Sequence, residues 1–240
     1  MRLLALALAA LALVGCESTQ EQSAKLEKVA KQEAGEAARR KALTQRSLSI
    51  TRRSTIVTVS SSVVLHSSDG TAAAVTLRNV SGEALRDIPI EITVRDAAGA
   101  TLYTNATSGI AGALVSVPLL AAHGTTTWVD DQVQTSATPA SVSAKVGEGE
   151  RVIQAIPRLA IENAHLSEGA AEGSVVNRSH VSQHEVVVYA TARRGGAIVA
   201  AGRAIVPQLE AGASERFQAF LIGDSSGAQL EVSAPPSTLE

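Results

Sequence analysis

From Thr55 onward, apolar residues recur at every second position. Ile88, Ile90, Ile92 and Val94 alternate with Pro89, Glu91, Thr93 and Arg95, which predicts a strand with one buried and one solvated face. Val57-Val59, Ala73-Val75-Leu77 and Val142-Ala144-Val146 follow the same rule. Turn-forming runs separate them: Ser68-Asp69-Gly70, Ser81-Gly82, Asp96-Ala97-Ala98-Gly99 and His123-Gly124. About seven short strands fit between residues 55 and 147, the spacing of a sandwich or barrel.

The pattern then repeats. Val75-Thr76-Leu77-Arg78-Asn79-Val80-Ser81 and Gly173-Ser174-Val175-Val176-Asn177-Arg178-Ser179 both run an apolar strand into Asn-x-Ser. IEITVRDAAGATLY and EVVVYATARRGGAIVAAG share the order strand, charged turn, Gly, strand. Pro207-Gln208-Leu209-Glu210-Ala211-Gly212 matches Pro118 to Gly124 with one residue inserted. Each copy closes on a strand with a large aromatic, Trp128 or Phe217. Matches in one order imply a duplicated module, with copies near 54–147 and 155–234 joined through the charged, Gly-rich 147–151. The alternation Thr126, Trp128 places Trp128 in the first core.

Ahead of the strands the period is lost. Residues 17–53 are rich in Ala, Glu, Lys and Arg, good helix formers. Acidic Glu17, Glu21 and Glu27 lie early, and basic Arg39, Arg40, Lys41 and Arg46 late, complementing a helix dipole. The apolar face (Leu26, Val29, Ala30) is too thin to dock, so a helical or flexible stalk is expected. Some 25 helical residues would reach roughly 40 Å. Residues 1–15 carry Arg2 and then an apolar run, the form of a secretory signal, and shorter than the roughly 20 residues a bilayer span needs.

Leu13-Val14-Gly15-Cys16 resembles the lipobox of bacterial lipoproteins. That resemblance implies a signal peptide removed just before Cys16 and acyl chains, palmitate among them, on Cys16, with the membrane as the first partner. The strand–Asn, alternating strand, Leu/Pro…Gly turn and aromatic strand resemble FxLYD-type and related immunoglobulin-like envelope modules. The likeness covers roughly residues 72–132 and 171–222, departing in Trp128 where Phe is usual. It implies mainly β architecture and mostly non-catalytic modules, and carries over no site.

Composition narrows the classes. Apolar residues make up 45% of the chain but aromatics only 2%, so the cores must be Val, Ile, Leu and Ala. A formal net charge of −2 argues against nucleic acid, which needs clustered cations. One Cys permits no internal disulfide.

Chemistry-bearing strings are few. Ala121-Ala122-His123 and Gly223-Asp224-Ser225-Ser226-Gly227 resemble the His and Ser strings of trypsin-like enzymes, in the right order. A triad needs a base within reach of the hydroxyl, and these strings are read instead as a turn and as a hairpin loop in different modules. His180 and His184 have the i, i+4 spacing of a zinc helix, but no third ligand stands nearby in sequence. Asp130-Asp131 could offer two carboxylates to calcium, which needs six to eight oxygens, and reads as solvated loop charge. Arg193-Arg194-Gly195-Gly196 reads as a turn, and Arg39-Arg40-Lys41 as a solvated helix face or a headgroup contact. Asn79, Asn105 and Asn177 begin Asn-x-Ser/Thr strings taken as chance. No phosphate loop, dinucleotide fingerprint, metal set or cofactor motif is expected.

The expectation is a lipid-anchored, extracytoplasmic, non-enzymatic protein of two tandem immunoglobulin-like β-sandwiches. Its partner would be an envelope protein or glycan that it binds or scaffolds. The alternative is an accessory lipoprotein delivering a ligand or metal to a transporter, with a hydrolase third.

Overall fold

A computed structural model describes residues 48–239, together with Lys31 and Gly35, two helical positions ahead of them. The signal, Cys16 and nearly all of the stalk lie outside the described residues. Residues 48–239 fall in one compact unit, and it is mainly β.

The first sandwich pairs two antiparallel sheets. One holds β1 (Val57–Ser67), β2 (Gly70–Asn79) and β6 (Thr125–Asp130), in the order β1-β2-β6. The other is built on β3 (Leu85–Arg95), which pairs with β4 (Thr101–Thr104), β5 (Ser116–Leu120), β7 (Ser141–Val146) and β8 (Glu150–Arg151). In β3 the alternation holds: Ile88, Ile90, Ile92 and Val94 are buried and their neighbours half-buried. Trp128 is fully buried beside Val75, its partner on β2. The charged 147–151 stretch does more than connect, because Glu150 and Arg151 pair with Arg86 and Leu85.

The second sandwich repeats this plan. One sheet holds β9 (Leu159–Ser167), β10 (Ala170–Asn177) and β13 (Ser214–Phe220) in the order β13-β10-β9. The other holds β11 (Gln183–Arg194), β12 (Ala197–Leu209), β14 (Ile222–Gly223) and β15 (Gln229–Ser233) in the order β14-β12-β11-β15. Phe217 stands opposite Gly173, as Trp128 stands opposite Val75. A Cβ on Gly173 would lie 3.0 Å from the Phe217 ring, so the missing side chain makes room for the aromatic.

The repeat extends to backbone detail. Asp87 and Glu185 both take positive φ (47° and 50°), opposite Pro118 and Pro207 in their ladders. His123 and Gly212 occupy one turn position, with φ of 54° and 73°. Gly124 N–H donates to Ala121 O and Ala213 N–H to Glu210 O, both at 3.0 Å. Pro118–Gly124 therefore matches Pro207–Ala213 without the inserted residue expected from sequence.

Residues 223–227 are not a hairpin loop, because β14 and β15 lie on opposite edges of one sheet. The loop crosses the tip of the β11–β12 hairpin, where the Arg194 guanidinium donates to Asp224 Oδ2 (3.1 Å) and to the carbonyls of Asp224 and Ser226. Nor is β2 half-buried. Every residue from Thr71 to Leu77 is buried, because one face of β2 meets the first core and the other meets the second sandwich.

Candidate functional site

The sandwiches are fused rather than strung in a row. One hydrophobic cluster joins the first core to Val187, Tyr189, Ile198, Ala201 and Ile222 of the second. On β11 the other set of alternate residues, Val186, Val188, Ala190 and Ala192, faces the second sandwich's own cores. A strand buried on both faces loses its polar alternation, as β11 does from Val186 to Ala192. The run Ala72-Ala73-Ala74 supplies small side chains where β2 meets the β12 and β14 surface.

Asp130 and Asp131 anchor this junction and are not solvated loop charge. Asp130 is fully buried and accepts from Tyr103 Oη (2.8 Å) and Gln132 N–H (2.9 Å). Burial raises its carboxyl above the ordinary value of 3.8, although both bonds and Arg203 pull the other way. Asp131 accepts from Arg203 Nε (2.8 Å) and from its backbone N–H (3.2 Å). The Arg203 side chain is 3% exposed, so the pair is a desolvated bond between the sandwiches. Beside it the Tyr189 hydroxyl and Arg203 Nη1 are buried with no hydrogen-bond partner among the described residues, and burial pushes the Tyr189 phenol above its ordinary range.

Next to the junction a groove of about 290 Å³ opens between the sandwiches. Thr76 and Thr125–Thr127 line it from the first, and Tyr189, Thr191, Arg193 and Glu231–Ser233 from the second. Thr76 Oγ1 and Thr127 Oγ1 are 3.1 Å apart. Arg193 Nε donates to Glu231 Oε2 at 2.6 Å and its Nη2 reaches Thr127 Oγ1 at 3.5 Å. Hydroxyls that both donate and accept, with one cation cancelled by one anion, suit a neutral polar ligand better than an ion or an apolar molecule.

Consecutive residues of β6 and β15 line this groove, and both are edge strands. Asn79 N–H donates to Gly124 O at 2.9 Å, which sets the phase of the β2–β6 ladder. Thr126, Trp128 and Asp130 then turn their backbone groups toward β2. Thr125 and Thr127 turn theirs away, and among the described residues nothing pairs with those backbone groups.

The Asn-x-Ser strings are structural. Asn79 Nδ2 donates to Glu83 O (2.7 Å) and Ala121 O (3.0 Å), and its Oδ1 accepts from Ser81 N–H (2.9 Å) and Oγ (2.7 Å). Asn177 repeats this with Val181 O, Leu209 O and Glu210 O, and with Ser179. Each Asn ties the end of one sheet to the turn entering the next. Their shared position in both repeats was the available signal. Asn105, also buried, substitutes for backbone where β4 and β5 part: its Oδ1 accepts from Ile92 N–H (2.8 Å) and its Nδ2 donates to Ile90 O (2.9 Å) and Leu114 O (2.6 Å).

The trypsin-like strings lie apart. His123 sits in the turn bonded to the Asn79 end of β2, whereas Ile222 packs over Gly70 at the other end. Nine steps of a strand separate the two by roughly 30 Å. The Ser226 N–H and Arg194 hold the Asp224 carboxylate below its ordinary value. His180 lies in an exposed bend and His184 at the start of β11. No group of three or more His, Cys, Asp or Glu is placed to hold a metal among the described residues, and no helix among them is long and apolar enough to cross a membrane.

The class defined is therefore an all-β protein of two sandwiches fused face to face, with a hydroxyl-lined groove between them. No family model matches the chain, and no curated protein matches it in sequence.

Proposed function

We propose that the chain is a non-enzymatic lipoprotein of the bacterial cell envelope, held by acyl chains on Cys16. Residues 17–53 are a spacer, and the paired sandwiches, copies of an FxLYD-type immunoglobulin-like module, are displayed to bind or scaffold a partner. The observation that carries the binding half is the groove, which both sandwiches build and which is lined by hydroxyls and by backbone groups of β6 that have no partner among the described residues. The anchoring half rests on Leu13-Val14-Gly15-Cys16. Delivery of a ligand or metal to a transporter would be favoured by an enclosed apolar pocket, and the hydroxyl lining of this groove favours display.

One acyl chain holds a membrane marginally and two or more hold it stably. Cys16→Ser should therefore leave unprocessed precursor, or release protein that partitions into the aqueous phase of a detergent separation. Detergent partition of the mutant after its signal is cleaved would contradict lipid anchoring.

A further inference from the structure

We infer that the open edge of β6 is a strand-addition site, and that its ligand is an extended, uncharged polypeptide segment lying along the mouth of the groove between the sandwiches. The inference rests on the display reading for the existence of a partner, but not on the lipid anchor. Backbone N–H and C=O groups of Thr125 and Thr127 face away from β2 and, among the described residues, have no partner on that side. An edge left in this state is a template for another strand. Proteins that must keep an edge unpaired place charge or proline on it, and Thr125-Thr126-Thr127 carries neither.

The groove beside this edge restricts the chemistry of such a segment. β6 and β15 are the edge strands at its mouth, and Thr76 and Thr191 line it one strand further in. Side chains of an added strand opposite Thr125 and Thr127 would share their face of the sheet, beside those two hydroxyls, so Ser, Thr or Asn fit there. Arg193 is satisfied by Glu231, leaving no net charge to draw an ionic side chain. A glycan is less well served. The one aromatic in the lining, Tyr189, is 1% exposed, so no ring face is open for a sugar to stack on.

The test titrates the full chain in detergent micelles with a pool of eight-residue peptides alternating Ser, Thr or Asn with Val or Ala. A matched pool is N-methylated at alternate residues. Saturable binding is expected, with amide shifts centred on Thr125 and Thr127 and a loss of at least about tenfold on N-methylation, the equivalent of one edge hydrogen bond. Thr127→Pro removes an outward N–H without touching the β2 ladder, and should weaken binding similarly. If native Trp128 emission shows that variant unfolded, Thr125→Pro, at the first residue of the strand, takes its place. No binding at millimolar peptide would overturn the inference, as would equal binding of the methylated pool. So would displacement by chito-oligosaccharides, or a concentration-dependent dimer formed through β6. Cys16→Ser chain is titrated in parallel: unchanged peptide affinity is expected, so failure of anchoring and failure of the groove are read separately.

Discussion

Asn79 and Asn177 show how much one side chain can hold when it replaces backbone pairing. Each amide closes a turn with its own Ser and satisfies carbonyls where the chain passes between sheets. A buried polar group stripped of its partner costs about 1–3 kcal/mol. Asn177→Ala leaves the carbonyls of Val181, Leu209 and Glu210 without that donor, so a loss of about 3 kcal/mol is expected in urea denaturation. A loss below about 0.5 kcal/mol, the scale of a neutral surface change, would contradict the role. Asp130 makes a prediction of opposite sense. Its folded carboxyl is raised by burial above the ordinary 3.8, so its contribution to stability is full below that value and is lost as pH rises through the raised one. Asn at this position cannot ionise. The stability of Asp130→Asn relative to the parent should therefore improve as pH is taken from below 3.8 toward neutrality, and a flat or falling difference would contradict the assignment.

At the scale of elements, legibility followed one rule. Strands with a single buried face, β3 above all, were plain from alternation, and the duplicated order fixed the aromatic strands. Trp128 is buried as expected, with its indole N–H donating to Ala113 O at 3.1 Å. Trp128→Ala should cost about 3–5 kcal/mol in denaturant unfolding. A loss under about 1 kcal/mol would place the ring outside the core. Strands buried on both faces were harder to read. Ala72-Ala73-Ala74-Val75 and Val186-Val187-Val188 are continuous apolar runs, and a run of that kind names no partner for its second face. The crossover at 223–227 and the outward edge of β6 depend on which strands are neighbours in space, and local sequence does not encode that. Asp130-Asp131 looked solvated because its counterpart, Arg203, lies far along the chain in the other module. The Asn-x-Ser strings were visible as a repeat, but their bonds run to turn carbonyls that a linear motif does not reveal.

For the whole molecule, the decisive feature is that two copies of one sandwich share a buried face. The shared cluster, the Asp131–Arg203 pair and the groove all exist only because the copies are docked. Removing one partner of a buried pair strands a charge at a cost of about 3–5 kcal/mol, so Asp131→Ala should act on the coupling between sandwiches more than on either core. The sole Trp reports the first sandwich alone, whereas far-ultraviolet circular dichroism reports both. The most direct measurement is therefore urea unfolding of the full chain followed by both signals at once. Coincident transitions in the parent, separating in Asp131→Ala, are the predicted result. Two separate transitions in the parent would mean that the sandwiches are independent beads and that the groove between them is not a fixed site.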